Sequence, residues 1–333
     1  MQDEYVKLGY GSGGLLTNRL IKELILKYFS HPILKRLEDS AELSLSNKNI
    51  AFTTDSYVVN PIFFPGGDIG KLSICGTIND LAMKGAIPEY ISFSLILEEG
   101  LSFAELQKVL KSAADVAKRA GVNVVCGDTK VVERGKADKI FITTSGIGII
   151  KKKLGKERIN PGDRVIISGT IADHGITILN QRLNLNLRAD FKSDCAPLNL
   201  LTDKLFQRDW GIHFMRDPTR GGVVAVLNEI TEGSKWGIVI DERCIPLRTE
   251  VKGACELLGL DPLYVANEGK FIAIVDRRYT EQILKFLRRN PLGRNARVIG
   301  EVSEELSGVW LKTAIGGMRP LLQPEAEGLP RIC

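Results

Sequence analysis

The chain has no C-x-x-C pair among its six cysteines, no apolar run long enough to span a bilayer, and no block of like charge denser than one lysine triplet. Cysteines scattered at 75, 126, 195, 244, 255 and 333 exclude a zinc knuckle and a disulfide framework, and point to a reducing, cytoplasmic compartment. The first residues, Met1-Gln2-Asp3-Glu4, are acidic, and the apolar residues after them are broken by Lys7 and four glycines, which is the wrong pattern for a signal peptide. Without a spanning segment, no membrane role is expected. Forty-five basic side chains against 40 acidic ones leave a net charge of +5 over 333 residues, too thin an excess to call for nucleic acid or anionic lipid. The densest run, Lys151-Lys152-Lys153, falls at an expected domain boundary. What is present is ordinary globular material, 44% apolar and 26% charged, enough for two domains with their own cores.

Periodicity predicts a mixed α/β domain over residues 1–150. Helical spacing runs from Leu15 to Phe29, Gly70 to Lys84 and Phe103 to Ala120, the last closed by Gly121 as a C-cap. Strands are expected at Ala51–Val59, Tyr90–Leu97, Asn123–Cys126 and Lys139–Ile150, with a Pro/Gly-rich loop from Pro61 to Gly67. A second α/β domain follows over 151–312. It starts with the turn Asn160–Asp163 and the strand Arg164–Ser168, and further helices are expected near 174–181, 198–208, 222–232, 250–258 and 280–289, with strands near 238–241, 271–275 and 298–302. Residues 313–333, rich in proline and glycine and without a period, read as a flexible tail carrying Cys333.

Several segments carry polar groups that a plain core does not need. Gly11-Ser12-Gly13-Gly14 precedes a helix, so its bare amides suit phosphate oxygens as well as they suit a flexible helix entry; it matches neither the P-loop nor the dinucleotide fingerprint. Asp55 interrupts an apolar strand, Asn79-Asp80 interrupts a buried helix, and Asp128 stands at a strand end. Singly, each aspartate also suits an N-cap or a turn. Together with the glycine loop they suit Mg2+, a hard cation taking oxygen ligands and shared with substrate phosphates. The segment Asp217-Pro218-Thr219-Arg220-Gly221-Gly222 leads into another helix and offers a cation, a hydroxyl and amides to an anion, or simply starts that helix. Asn267-Glu268-Gly269-Lys270 reads as a turn or as a site segment, and His174 as a polar residue at a helix start. Cys333 is the sharpest feature: an exposed thiol on an arm that, from Thr313, reaches about 60–70 Å when extended.

In combination these segments resemble the HypE family of hydrogenase maturation factors, within the superfamily of aminoimidazole ribonucleotide synthetase, selenophosphate synthetase and thiamine-monophosphate kinase. The likeness rests on Gly11–Gly14, Thr54–Val59, Gly76–Met83, Gly127–Val132, Gly169–Gly175, Asp217–Gly222, Ala266–Lys270 and the ending Pro330-Arg331-Ile332-Cys333, and spans essentially the whole chain. Tyr10 departs from it, since related sequences often carry histidine there. The resemblance implies an α+β type of α/β fold in two domains, a homodimeric core through the N-terminal sheets, and ATP between the domains. It implies ATP-dependent dehydration of an S-carbamoyl group on Cys333 to a thiocyanate, the source of cyanide for [NiFe]-hydrogenase. Partners implied are the carbamoyltransferase HypF and a HypC–HypD scaffold that accepts the cyanide.

The chemistry needs the parts just described. An amide oxygen leaves as water only after activation, and phosphorylation by ATP turns it into a phosphate leaving group; elimination then forms the nitrile. Phosphoryl transfer asks for positioning and charge neutralisation. On this reading Asp55, Asp80 and Asp128 hold the metal. Gly11, Ser12, Gly13, Gly14 and the segment Asp217, Thr219, Arg220, Gly221 and Gly222 hold phosphates, with Asn79 assisting. Elimination needs a base, for which Glu268 and Lys130 are candidates, each equally able to serve in an ion pair. Two other readings remain: a superfamily ligase or kinase acting on a free small molecule, and a redox adaptor working through Cys333 without a nucleotide.

Overall fold

The computed structural model describes residues 4–7, 20–35, 49–187 and 189–322. The N-terminal domain is one five-stranded sheet with two helices on one face. Its strands are β1 (Ile50–Tyr57), β2 (Ala86–Glu98), β3 (Asn123–Cys126), β4 (Thr129–Val132) and β5 (Ile140–Ile150), in the order β1-β5-β2-β3 with β4 also on β2. β5 pairs antiparallel with β1 and β2, whereas β3 and β4 run parallel to β2. Helix α1 (Ile69–Met83) and the amphipathic helix α2 (Phe103–Ala120) cover the sheet. α2 starts on a Ser102 cap that accepts from the Glu105 amide and stops at Gly121, whose φ of +72° only glycine takes without strain.

α1 is a different kind of helix. Every residue in it is buried except Lys71 and Asp80, because the sheet lies on one side, α2 on another and the second domain on a third. Glycine allows the tight fit: a Cβ on Gly76 would stand 2.2 Å from the Tyr57 hydroxyl, and one on Gly146 would stand 2.7 Å from the Thr77 methyl.

The second domain is a seven-stranded sheet, β6 (Arg164–Ile167), β7 (Ile212–Arg216), β8 (Gly237–Asp241), β9 (Ile272–Val275), β10 (Arg297–Ser303), β11 (Gly308–Lys312) and β12 (Met318–Pro320), in the order β12-β11-β8-β10-β6-β9-β7. Only β8 and β11 are parallel neighbours. Helices α3 (Asp173–Arg182), α4 (Asn199–Phe206), α5 (Gly222–Thr231), α6 (Thr249–Leu258) and α7 (Thr280–Leu287) complete it. Leu201, Leu205, Ile283 and Leu287 of α4 and α7 form a core with Ala273 and Val275 on one sheet face, and Val223, Leu227 and Ile230 of α5 pack with Ile272 and Ile274 on the other.

Among the described residues the element types expected from periodicity are present, with β4, β7, β11 and β12 in addition. The expectation that the arm begins at Thr313 is corrected. Thr313 and Gly316 close a turn, β12 pairs with β11, and the Leu321 side chain is fully buried with its carbonyl held by Asn228. The described chain is therefore anchored as far as Leu322.

Candidate active site between the two domains

A cleft of about 610 Å³ opens where β1 and the end of α1 face β7 and the loop after it. Ile50, Met83, Leu154 and Phe214 make its apolar part; Asp55, Asp80, Asp217, Thr219 and Arg220 make its charged part. Asp55 points to the helix-covered side of β1, where its carboxylate meets the Tyr57 hydroxyl at 3.4 Å. Asp80 accepts from the Thr53 hydroxyl at 2.7 Å. Burial, reinforced by the carboxylates of Asp217 and Asp55, pushes Asp80 up to about 8, and burial pushes Asp217 up to about 6. Three carboxyls separated widely in sequence thus meet in one cleft, where burial and mutual repulsion favour the protonated forms of Asp80 and Asp217.

Glu268 lies next to this patch, only 3% exposed. Burial raises its carboxyl well above the usual range, and the acidic groups of Cys195, Asp217, Asp194 and Asp55 raise it further. The backbone around it is pinned from two sides. Asp194 accepts from the amides of Glu268 and Gly269 at 3.1 and 3.2 Å and pairs with Lys270 at 3.3 Å. Asn267, fully buried, donates to the Pro218 carbonyl and accepts from the Ala172 amide, so the Asp217 loop and the Glu268 loop are stitched together. Gly221 and Gly222, with φ of +72° and +62°, turn the chain into α5 against the carbonyl of Leu263.

Asn79 is a joint between the domains. Its amide donates to the carbonyls of Ala196 and Glu268 and accepts from the Leu198 amide, so its polar atoms are already used by backbone groups. Asp128 and Lys130 are not brought to the cleft. They pair with each other at 3.7 Å, each side chain 65% exposed, beside Ser94 on the far side of β2. Three strand spacings, about 14 Å, separate Asp128 from Asp55. Gly11–Gly14 and Cys333 lie outside the described residues. Asp194 is the site residue the motifs did not single out; its signal was a polar side chain in a turn, which is common everywhere.

Two family models match the chain, the AIR synthase related protein N-terminal domain over residues 37–150 and its C-terminal domain over 160–311. The Carbamoyl dehydratase HypE of Escherichia coli (strain K12) is 48% identical over 336 residues, covering 98% of this chain and 99% of that protein. The chain belongs to the HypE family. Members are carbamoyl dehydratases of hydrogenase maturation, built on the AIR synthase related fold. A HypE solved in complex with ATP superposes on this structure with a TM-score of 0.93 at 48% identity, covering 98% of this chain and 99% of that one. A chain from a solved HypE–HypF complex superposes with a TM-score of 0.80 at 45% identity, covering 92% and 99%. Among the described residues, no helix is long and apolar enough to cross a membrane.

Proposed function

We propose that this chain uses ATP and Mg2+ to convert an S-carbamoyl group on its own Cys333 into a thiocyanate, as an enzyme of [NiFe]-hydrogenase maturation. The reading is carried by one observation: carboxylates from both domains, Asp55, Asp80 and Asp217, converge on a single cleft with Glu268 buried beside them. An apolar end next to a charged end suits a nucleotide with its metal. Among the described residues no three acidic, histidine or cysteine side chains make a ready cage. Mg2+ does not need one, since it commonly takes one or two carboxylates and fills its shell with phosphate oxygens and water. Asp55 and Asp80 are hard oxygen donors whose mutual repulsion a cation relieves, and they would hold it. When bound, the ion would offset the charge of the transferring phosphoryl group.

The steps balance as follows. The carbamoyl oxygen attacks the γ-phosphoryl group of ATP, a nitrogen proton leaves, and ADP departs from an O-phosphorylated thioimidate. Loss of the second nitrogen proton and of phosphate then gives Cys333–S–C≡N. Glu268 is the base for the second proton, because a carboxylate buried among like charges holds a proton more tightly than one in water. Asp194 and Asn267 fix its backbone.

A homodimer is part of this reading, supported by the N-terminal sheet, one face of which no helix covers among the described residues. There Phe52 is 66% and Ile96 40% exposed, the Ser56 and Thr143 hydroxyls pair across the strands, and the Ser145 hydroxyl donates to that of Thr54, which donates to the Thr144 carbonyl. A second copy over that face would cover it and is also the means by which Asp128 and Lys130 enter a cleft, namely the other subunit's. The carbamoyl group comes from a HypF carbamoyltransferase and the cyanide goes to a HypC–HypD scaffold.

The deciding experiment treats the protein with cyanate to carbamoylate thiols, adds Mg-ATP, cleaves after glutamate and weighs the fragment Gly328–Cys333, with Cys333→Ala as control. ATP-dependent loss of one water from that fragment is expected. A carbamoylated fragment that stays unchanged while ATP is consumed would transfer the activity to a free small molecule.

A further inference from the structure

Behind Glu268 and outside the cleft lies a second set of charges. Lys270 and Asp194 pair there at 3.3 Å, with side chains only 11% and 4% exposed. Asp173, also buried, accepts from the Thr170 hydroxyl and faces Arg248 at 3.4 Å. His174 is fully buried and shares a hydrogen bond of 2.8 Å with the Ser193 hydroxyl. None of these side chains lines the cleft. Thr170, Asp173 and His174 belong to Gly169–Gly175, a segment that carries the family likeness and that no step of the proposed reaction uses. Stability alone does not account for the cluster, because a buried ion pair is commonly no more stabilising than apolar side chains of the same volume.

The Lys270–Asp194 pair is built around the backbone of Glu268. One Asp194 oxygen accepts from the Glu268 amide at 3.1 Å, and the other accepts from the Gly269 amide at 3.2 Å and meets Lys270. An ionised carboxylate presents lone pairs to both amides, whereas a protonated one turns one oxygen into a donor. Burial alone would raise the Asp194 carboxyl, but Lys270, with His174 and the Glu268 amide, holds it below the usual carboxylate range. Two glycines make the fit possible. A Cβ on Gly269 would stand 1.9 Å from the Asp194 carbonyl, and one on Gly169 would stand 2.7 Å from the Lys270 Cε, so Gly169 leaves open the path by which the lysine reaches Asp194. We propose that Lys270 is a positioning residue of the dehydration: by pairing with Asp194 it locks the Glu268–Gly269 backbone and so aims the Glu268 carboxyl at the nitrogen proton it removes. The inference rests on the proposed function, in which Glu268 is the base. Lys270 acts through Asp194, since its ammonium is engaged by Asp194 and the Gly269 carbonyl. A mis-aimed base has a chemical consequence. The O-phosphorylated thioimidate persists, water adds to its carbon, and phosphate leaves with the carbamoyl group restored, so ATP is consumed and no nitrile forms.

The test uses the cyanate-treated full chain with Mg-ATP and counts the ADP formed per tail fragment that has lost water, with Cys333→Ala correcting for ATP use elsewhere. Wild type should form one ADP per dehydrated tail. Lys270→Met keeps the stem and removes the charge. It should form at least about tenfold more ADP per dehydrated tail and dehydrate about a hundredfold more slowly, while its ATP affinity by calorimetry changes less than about threefold. Asp194→Asn should behave alike, and the double variant should be no worse than the poorer single one, because the two residues act as a unit. If Lys270→Met does not fold, Asp194→Asn gives the same readout. A wild-type ratio and rate in Lys270→Met, losses that multiply in the double variant, or an ATP affinity that falls in step with the rate overturn the proposal. Wild-type protein that loses no water, or Glu268→Gln that dehydrates at the wild-type rate, overturns the proposed function instead.

Discussion

The two sides of the N-terminal sheet treat their acids differently. Under α1, Asp80 is desolvated and crowded by Asp55 and Asp217, and its proton is held to about pH 8. Beside the uncovered face, Asp128 stands in water next to Lys130. The same residue type is desolvated in one place and solvated in the other. A motif reading of the strand ends cannot see this, because which face a strand residue joins depends on register.

The largest effect expected is on elimination. Glu268→Gln should slow appearance of the dehydrated tail fragment by about a thousandfold, while ATP binding changes less than about threefold, which calorimetry checks. Equal loss in both would make Glu268 part of the nucleotide pocket. The comparison itself is broken or kept by mixing subunits. Asp80→Asn and Asp128→Asn should each lower turnover by about a hundredfold, and unfolding and refolding the two together should restore roughly a quarter of the wild-type rate, through mixed dimers with one intact site. No recovery on mixing would place Asp128 and Asp80 in separate functions.

Stability sharpens the same contrast. The folded value of Asp80 lies above its unfolded value near 4, so folding takes up a proton between about pH 4 and pH 8, and stability is lost as pH rises through that window. Without divalent cation, Asp80→Asn should therefore be more stable than wild type at pH 8.5, on the order of a few kcal/mol, with the gap shrinking towards pH 5. Parallel melting curves for Asp80→Asn and wild type at both pH values would refute the account of Asp80. Gly76→Ala, pressing a methyl group onto the Tyr57 hydroxyl behind the poised acids, should cost about 1–3 kcal/mol in chemical denaturation.

Much of the fold was legible in local pattern. α2 is readable residue by residue, with apolar spacing through its length and Gly121 to end it. β7 and β12 were not, since Ile212–Arg216 mixes burial without alternation and Met318–Pro320 is exposed throughout; both exist because a neighbouring strand offers hydrogen bonds. Of the site, Asp55 and Asp80 announced themselves as charges where core was due. Their convergence with Asp217 did not, because it depends on how two domains meet.

The anchoring of Leu321 gives the reaction its kinetic character. Only ten residues lie between Leu322 and Cys333, a span of about 40 Å at full stretch. If Cys333 reacts in its own subunit's cleft, as proposed, a link this short sets an effective concentration of about millimolar order, however dilute the protein is. On the proposed reading, dehydration is then a first-order event within each molecule, its rate independent of protein concentration.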